Sequence, residues 1–113
     1  MKAGLYVVNF SSSFGNFGGG VVTIESGRIQ GGDSGYLYLG TYQTKDTALS
    51  AQVTVKRHNP NAQSIFGNLN EFDLSLHGSF TDNSFTANGS VSGRPMAKIN
   101  INAKKVADPI PTR

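Results

Sequence analysis

The sequence predicts an all-β fold: a small, eight-stranded antiparallel up-and-down barrel with one short helix. Three observations carry that expectation. Hydrophobic residues recur at every second position in short segments along most of the chain, the period of a half-buried strand. Short polar, glycine-containing links separate those segments at intervals of roughly ten to twelve residues, as in an all-β sandwich or barrel. Fourteen glycines and a hydrophobic content of 37% suit tight turns better than helices packed on a sheet. Hairpin-length links favour an up-and-down meander, and closing it removes the edges that an open sheet would expose.

Residues 4–10 form the first strand, apolar on both faces, with Tyr6, Val8 and Phe10 on one side and Leu5 and Val7 on the other. A polar turn at 11–17 leads into a second strand at 18–25, opened by three consecutive glycines. Ser26-Gly27 is a two-residue hairpin turn, and 28–31 is a short third strand. The turn that follows, from Gly31 and Gly32 through Asp33 to Gly35, uses glycine for backbone angles that other residues avoid. Asp33 is placed there to accept backbone N–H groups. The fourth strand, 35–44, sets Tyr36, Tyr38 and Tyr42 on one face, with Gly40 leaving a gap among them, and Leu37 and Leu39 on the other.

Lys45-Asp46-Thr47 turns the chain into strands that alternate more cleanly. Leu49, Ala51, Val53 and Val55 face inward from 48–58, and Phe72, Leu74, Leu76, Gly78 and Phe80 from 71–80. Asp82-Asn83 turns into 84–92, with Phe85, Ala87, Gly89 and Val91 inward. After a turn at Gly93-Arg94-Pro95, residues 96–106 bury Ala97, Ile99, Ile101 and Ala103 against an outer row of Lys98, Asn100, Asn102 and Lys104. Between 58 and 70 the period fails, and Pro60 after Asn59 predicts a short helix ending at Gly67 with Ile65 and Phe66 buried. One barrel domain therefore spans 1–107, and 108–113, with Pro109 and Pro111, is an extended or disordered tail.

Two consequences bear on function. Small residues on the inner face leave room for a small apolar or lipid-like ligand, although the aromatics and the short helix are equally able to fill that space. The first, second and fourth strands also carry apolar residues outward, and Leu5, Val7, Leu37 and Leu39 form a stripe that needs a cover. Either a second subunit, giving a symmetric homodimer, or the short helix supplies it.

Candidate chemistry is sparse. The chain has no cysteine, which excludes a thiol nucleophile and a thiolate metal site. His58 and His77 have no ligand spacing around them and read as surface residues, so no metal and no cofactor is expected. No paired carboxylates or nucleophile–base pattern emerges, which argues against an enzyme. Gly18-Gly19-Gly20 lacks the lysine and helix of a phosphate loop. No apolar run approaches the roughly 18 to 20 residues of a membrane helix. Lys2 is followed by too short an apolar patch for a signal peptide, so a cytoplasmic location is expected. The net charge of +3 is concentrated late in the chain, where Arg94, Lys98, Lys104, Lys105 and Arg113 face only Asp108. Those lysines either guard a solvated sheet edge or meet phosphates, but the basic strand lacks the aromatics of a nucleic-acid binder.

Gln30-Gly31-Gly32-Asp33 followed by Tyr36-Leu37-Tyr38-Leu39-Gly40 resembles the Gly-Gly-Asp…Tyr-x-Tyr-x-Gly signature of the GrlR-like family, bacterial negative regulators of type III secretion. An opening Gly-Leu-Tyr strand and the total length agree. The resemblance implies a lipocalin-like barrel with a short helix, forming a homodimer. It also implies action by protein binding, with a DNA-binding transcriptional activator sequestered through an acidic run in the loop after the Tyr-x-Tyr-x-Gly strand. At that place this chain has Thr44-Lys45-Asp46-Thr47, one acid and one base. A basic activator would gain little electrostatic steering from it.

Overall fold

The computed structural model describes residues 1–111, all in one closed antiparallel barrel and its connections. The strands are β1 (Gly4–Ser12), β2 (Phe17–Glu25), β3 (Arg28–Gly32), β4 (Tyr36–Lys45), β5 (Ala48–Arg57), β6 (Glu71–Phe80), β7 (Ser84–Val91) and β8 (Arg94–Ala107). Each pairs with its neighbour in the chain, and β8 returns to pair with β1, which completes the predicted up-and-down closure. β8 is therefore bonded on both sides, so Lys98 and Lys104 decorate an outer wall and guard no edge.

Register explains the core. One inner row crosses six strands as Tyr6, Val22, Gly31, Tyr38, Val55 and Phe72. The period-two pattern sends these side chains to a common interior because adjacent residues point to opposite faces. Tyr6, Val8, Val53, Val55, Leu74, Leu76, Phe85, Val91, Ile99 and Ile101 are buried, while Phe10 and Phe72 are half-buried near one end. Each buried aliphatic or aromatic side chain contributes about 1.5–3 kcal/mol relative to exposure.

The two ends of the barrel differ. At one, the turns Ser26-Gly27, Asp46-Thr47 and 81–83 are tight, and the first residues fold across the opening. Tyr6, fully buried, donates its hydroxyl to the Lys2 carbonyl at 2.6 Å, while the Lys2 N–H bonds the Asp82 carbonyl at 2.9 Å. Burial holds the Tyr6 phenol above its ordinary pKa, and Tyr42 and Asp82 add to that. At the other end lie the links 13–16, 33–35 and 92–93 and the long connection 58–70.

That long connection is not helical, which corrects the short helix expected from Pro60 to Gly67. Local side chains take backbone bonds that a helix would need. Asn59 Oδ1 accepts the Asn61 N–H at 3.0 Å, and Ser64 Oγ accepts the Phe66 N–H at 3.0 Å while Ser64 and Gly67 exchange backbone bonds. The segment instead forms a series of turns seated in the barrel end. Phe66 does point inward, packed edge-on against Phe72 and Phe14 at 5.7 Å each. The turn before β8 is also tighter than expected: Ser92-Gly93 suffices, with Gly93 at φ 77°, and Arg94 and Pro95 already belong to the strand. Of the predicted tail, positions 112 and 113 lie outside the described residues; Asp108, at its start, pairs with Lys105 Nζ at 2.6 Å.

Candidate functional site

Asp33 is the junction of the open barrel end. Its Oδ1 accepts the N–H groups of Gly35 and Tyr36, both at 2.8 Å, which shapes the β3–β4 turn. Its Oδ2 accepts the Tyr38 hydroxyl from inside the barrel. Its backbone carbonyl accepts from His58 Nε2 at 2.9 Å, which sets that ring's tautomer although the residue is exposed. Burial, then the hydrogen bond to Asp33 and its charge, push the Tyr38 phenol far above its usual pKa of 10.0, so it remains a donor. The Tyr38 ring reaches this position across glycines: a Cβ on Gly20 would lie 2.8 Å from it, and Gly31 is its partner on β3.

Tyr36, buried beside it, donates its hydroxyl to the Leu69 carbonyl at 2.5 Å. Arg57 lies over the Tyr36 ring, 5.9 Å from its centroid, and donates through Nη1 to the Ala62 carbonyl at 3.0 Å. The Gly35 carbonyl accepts the N–H groups of His58 and Asn59. Ser12 Oγ and Asn16 Nδ2 both donate to the Ile65 carbonyl, at 3.1 and 3.0 Å. The 58–70 connection is thus tied to β1, β4 and β5 and to the β1–β2 and β3–β4 links.

Beneath it lies a cavity of about 320 Å3 lined chiefly by apolar side chains, Val8, Phe10, Val53, Phe72 and Leu76 among them, with Asp33 and Tyr38 at its mouth. Tyr42 is half-buried at the opposite end of β4, and Gly40 faces Val53 across the β4–β5 ladder.

The outer wall over β1–β4 is the second feature. Register builds a row of Lys104, Val7, Val21, Gly32, Leu37 and Lys56. A parallel row holds Leu5, Thr23, Gln30 and Leu39. Val7, Val21, Leu37 and Leu39 are 37%, 43%, 39% and 42% exposed, so nothing among the described residues fully covers them. The 58–70 connection, which would have had to do so, occupies the barrel end instead. Gly32 leaves a slot between Val21 and Leu37, roughly 10 Å wide at two strand spacings.

Val21 belongs to this patch by parity alone, because Val22 and Ile24 are buried. The pins on 58–70 had no periodic signal to reveal them. Thr44 and Lys45 end β4, and Asp46-Thr47 alone make the turn, with Asp46 at φ 57°; all four are exposed. His77 is exposed on β6. Among the described residues, no group of three or more His, Cys, Asp or Glu side chains is placed to hold a metal, and no helix is long and apolar enough to cross a membrane.

The geometry defines a class: a closed eight-stranded β-barrel with an Asp-centred turn at one end and an uncovered apolar wall. The family model described as "T3SS negative regulator, GrlR" matches residues 1–108. The chain belongs to the GrlR family of type III secretion system negative regulators. No curated protein matches the chain in sequence.

Proposed function

We propose that this barrel is a non-enzymatic, cytoplasmic regulator that works through protein–protein interaction as a symmetric homodimer. The uncovered wall over β1–β4 carries the reading. Apolar side chains on β1, β2 and β4, flanking Gly32 and Gln30 of β3, are costly to leave in water, and a twofold-related copy offers the same surface in return. The slot over Gly32 accepts a Leu37 or Val21 side chain from the partner, while Lys104 and Lys56 border the patch and remain in solvent. An interface of standard size takes about 800 Å2 per partner.

Negative regulation by such a chain needs a target, and this reading names a transcriptional regulator protein. The 44–47 turn carries one acid and one base, so charge there does not recruit that target. Recognition falls to shape and apolar contact.

The test is Leu37→Glu. Each dimer then loses two leucines and gains two charges in its apolar centre, at least about 2 kcal/mol, so dissociation rises by roughly thirtyfold or more. Sedimentation equilibrium is expected to give twice the 12.0 kDa chain mass for the wild type and the single mass for the variant. A promoter reporter for type III secretion is expected to fall with wild-type overproduction and not with the variant. A monomeric wild type at micromolar concentration removes the dimer, and a reporter indifferent to the wild type removes the regulatory role.

A further inference from the structure

The barrel interior has a chemical polarity that the outer wall does not explain. Protein cores hold few voids larger than a water molecule. The cavity of about 320 Å3 falls at the lower end of the roughly 300–1,000 Å3 of small-molecule sites. Its walls are apolar, which makes it poor housing for water. It opens between the β1–β2 link, the β3–β4 turn and the 58–70 connection, where Phe17, Gly19 and Gln63 are exposed.

The hydrogen-bonding groups facing this space sort by kind. Asp33 is the one charged side chain in its lining among the described residues. Two backbone N–H groups occupy its Oδ1, and Tyr38 donates to its Oδ2, which keeps a free lone pair. The Tyr38 proton is spent on Asp33 and the Tyr36 proton on the Leu69 carbonyl. Ser64 Oγ is committed to the Gly67 carbonyl, and Ser34 and Gln63 lie on the exposed rim. The lining offers acceptors and a negative charge at the mouth; its uncommitted side-chain donors, Ser34 Oγ and Gln63 Nε2, lie on the rim, and Arg57 Nε, buried without a partner, belongs to the guanidinium over the Tyr36 ring.

We propose that the interior binds a small apolar molecule with a single hydrogen-bond-donating head, an alcohol or an amine. The head sits at Asp33 Oδ2 and Tyr38 Oη, and the body lies among Phe10, Val53, Phe72 and Leu76. A carboxylate-headed chain is the poorer ligand, since its head would meet the like charge of Asp33.

Three probes of one length test this: n-nonanol, n-nonylamine and nonanoate, titrated calorimetrically into the full chain near neutral pH. The alcohol and the amine are expected to bind with one molecule per chain and to raise the melting temperature. Nonanoate is expected to bind at least about tenfold more weakly, the equivalent of about 1.4 kcal/mol. Val53→Phe fills the space from a wall that does not touch the Asp33 turn, and is expected to abolish binding while the β-sheet circular dichroism persists. Asp33→Asn is expected to remove the preference for the amine over nonanoate; if that variant does not fold, the probe series and Val53→Phe decide alone. Nonanoate binding as tightly as the amine overturns the head assignment. Failure of all three probes to bind, or undiminished binding to folded Val53→Phe, overturns the site. None of these outcomes depends on the oligomeric state.

Discussion

Replacing Tyr38 with Phe removes one atom and should expose how the open barrel end is held. The ring is 8% exposed and keeps its packing against Phe10, 6.0 Å away edge-on, so only the hydroxyl bond to Asp33 is lost. A hydrogen bond to a charged group contributes about 1.5–3 kcal/mol. Asp33 is half-buried, so water can take the vacated lone pair, and the cost falls near the lower bound of about 1.5 kcal/mol. For a chain of this size that corresponds to a fall in melting temperature of roughly 6 °C.

The same phenol gives a pH signature. Its pKa is raised in the fold by burial and by Asp33, whereas in the unfolded chain it titrates near 10. Its stabilisation is complete below about pH 10 and is lost as pH climbs beyond it, with a slope of up to about 1.4 kcal/mol per pH unit. Tyr38→Phe should flatten the alkaline limb and leave the smaller part that comes from Tyr6, whose phenol is also raised by burial. Urea unfolding followed by circular dichroism, near neutral pH and at several alkaline values, measures both effects. Equal stability near neutrality together with an unchanged alkaline slope would refute the role given to this bond.

Further expectations concern the same end of the barrel. Phe66→Ala removes a side chain 9% exposed and wedged between Phe14 and Phe72, and should cost about 3 kcal/mol. Amide exchange in 58–70 should rise more than in β5 or β6, and uniform acceleration would contradict a seated connection. Gly20→Ala places a methyl group 2.7 Å from the Gly32 carbonyl and 2.8 Å from the Tyr38 ring and should destabilise by about 1–3 kcal/mol, read from the urea midpoint. Combined with Tyr38→Ala the Gly20 penalty should shrink in part, because the ring is gone while the carbonyl contact remains; an additive double variant would place the whole strain at the carbonyl.

The strands were legible because each carries its own period-two signal and each hairpin its own turn residues. Leu74 and Leu76 on β6, or Ile99 and Ile101 on β8, declare their face without reference to any other part of the chain. Strand ends shifted by a residue or two where turn geometry decides, as at Ser92-Gly93. The 58–70 connection was not legible. Its inward residue Phe66 could be picked out by hydrophobicity, but its conformation depends on bonds to Ser12, Asn16 and Tyr36, each more than thirty residues away in sequence from its partner. For the same reason the sequence placed Asp33 in its turn and could not show Tyr38 reaching it over Gly20 and Gly31. The outer patch was legible through strand parity at Leu5, Val7, Leu37 and Leu39. Its slot at Gly32 needed the ladder registers.

The seam between β1 and β8 couples segments some ninety residues apart, Leu5 with Ala107 and Ser12 with Ile99. Such pairing of remote segments is slow to form. A ribosome must deliver β8 before the seam can be sewn, and until then the growing sheet presents β1 as a bare flank. Nascent chains stalled ahead of Arg94 should therefore be sticky and readily proteolysed.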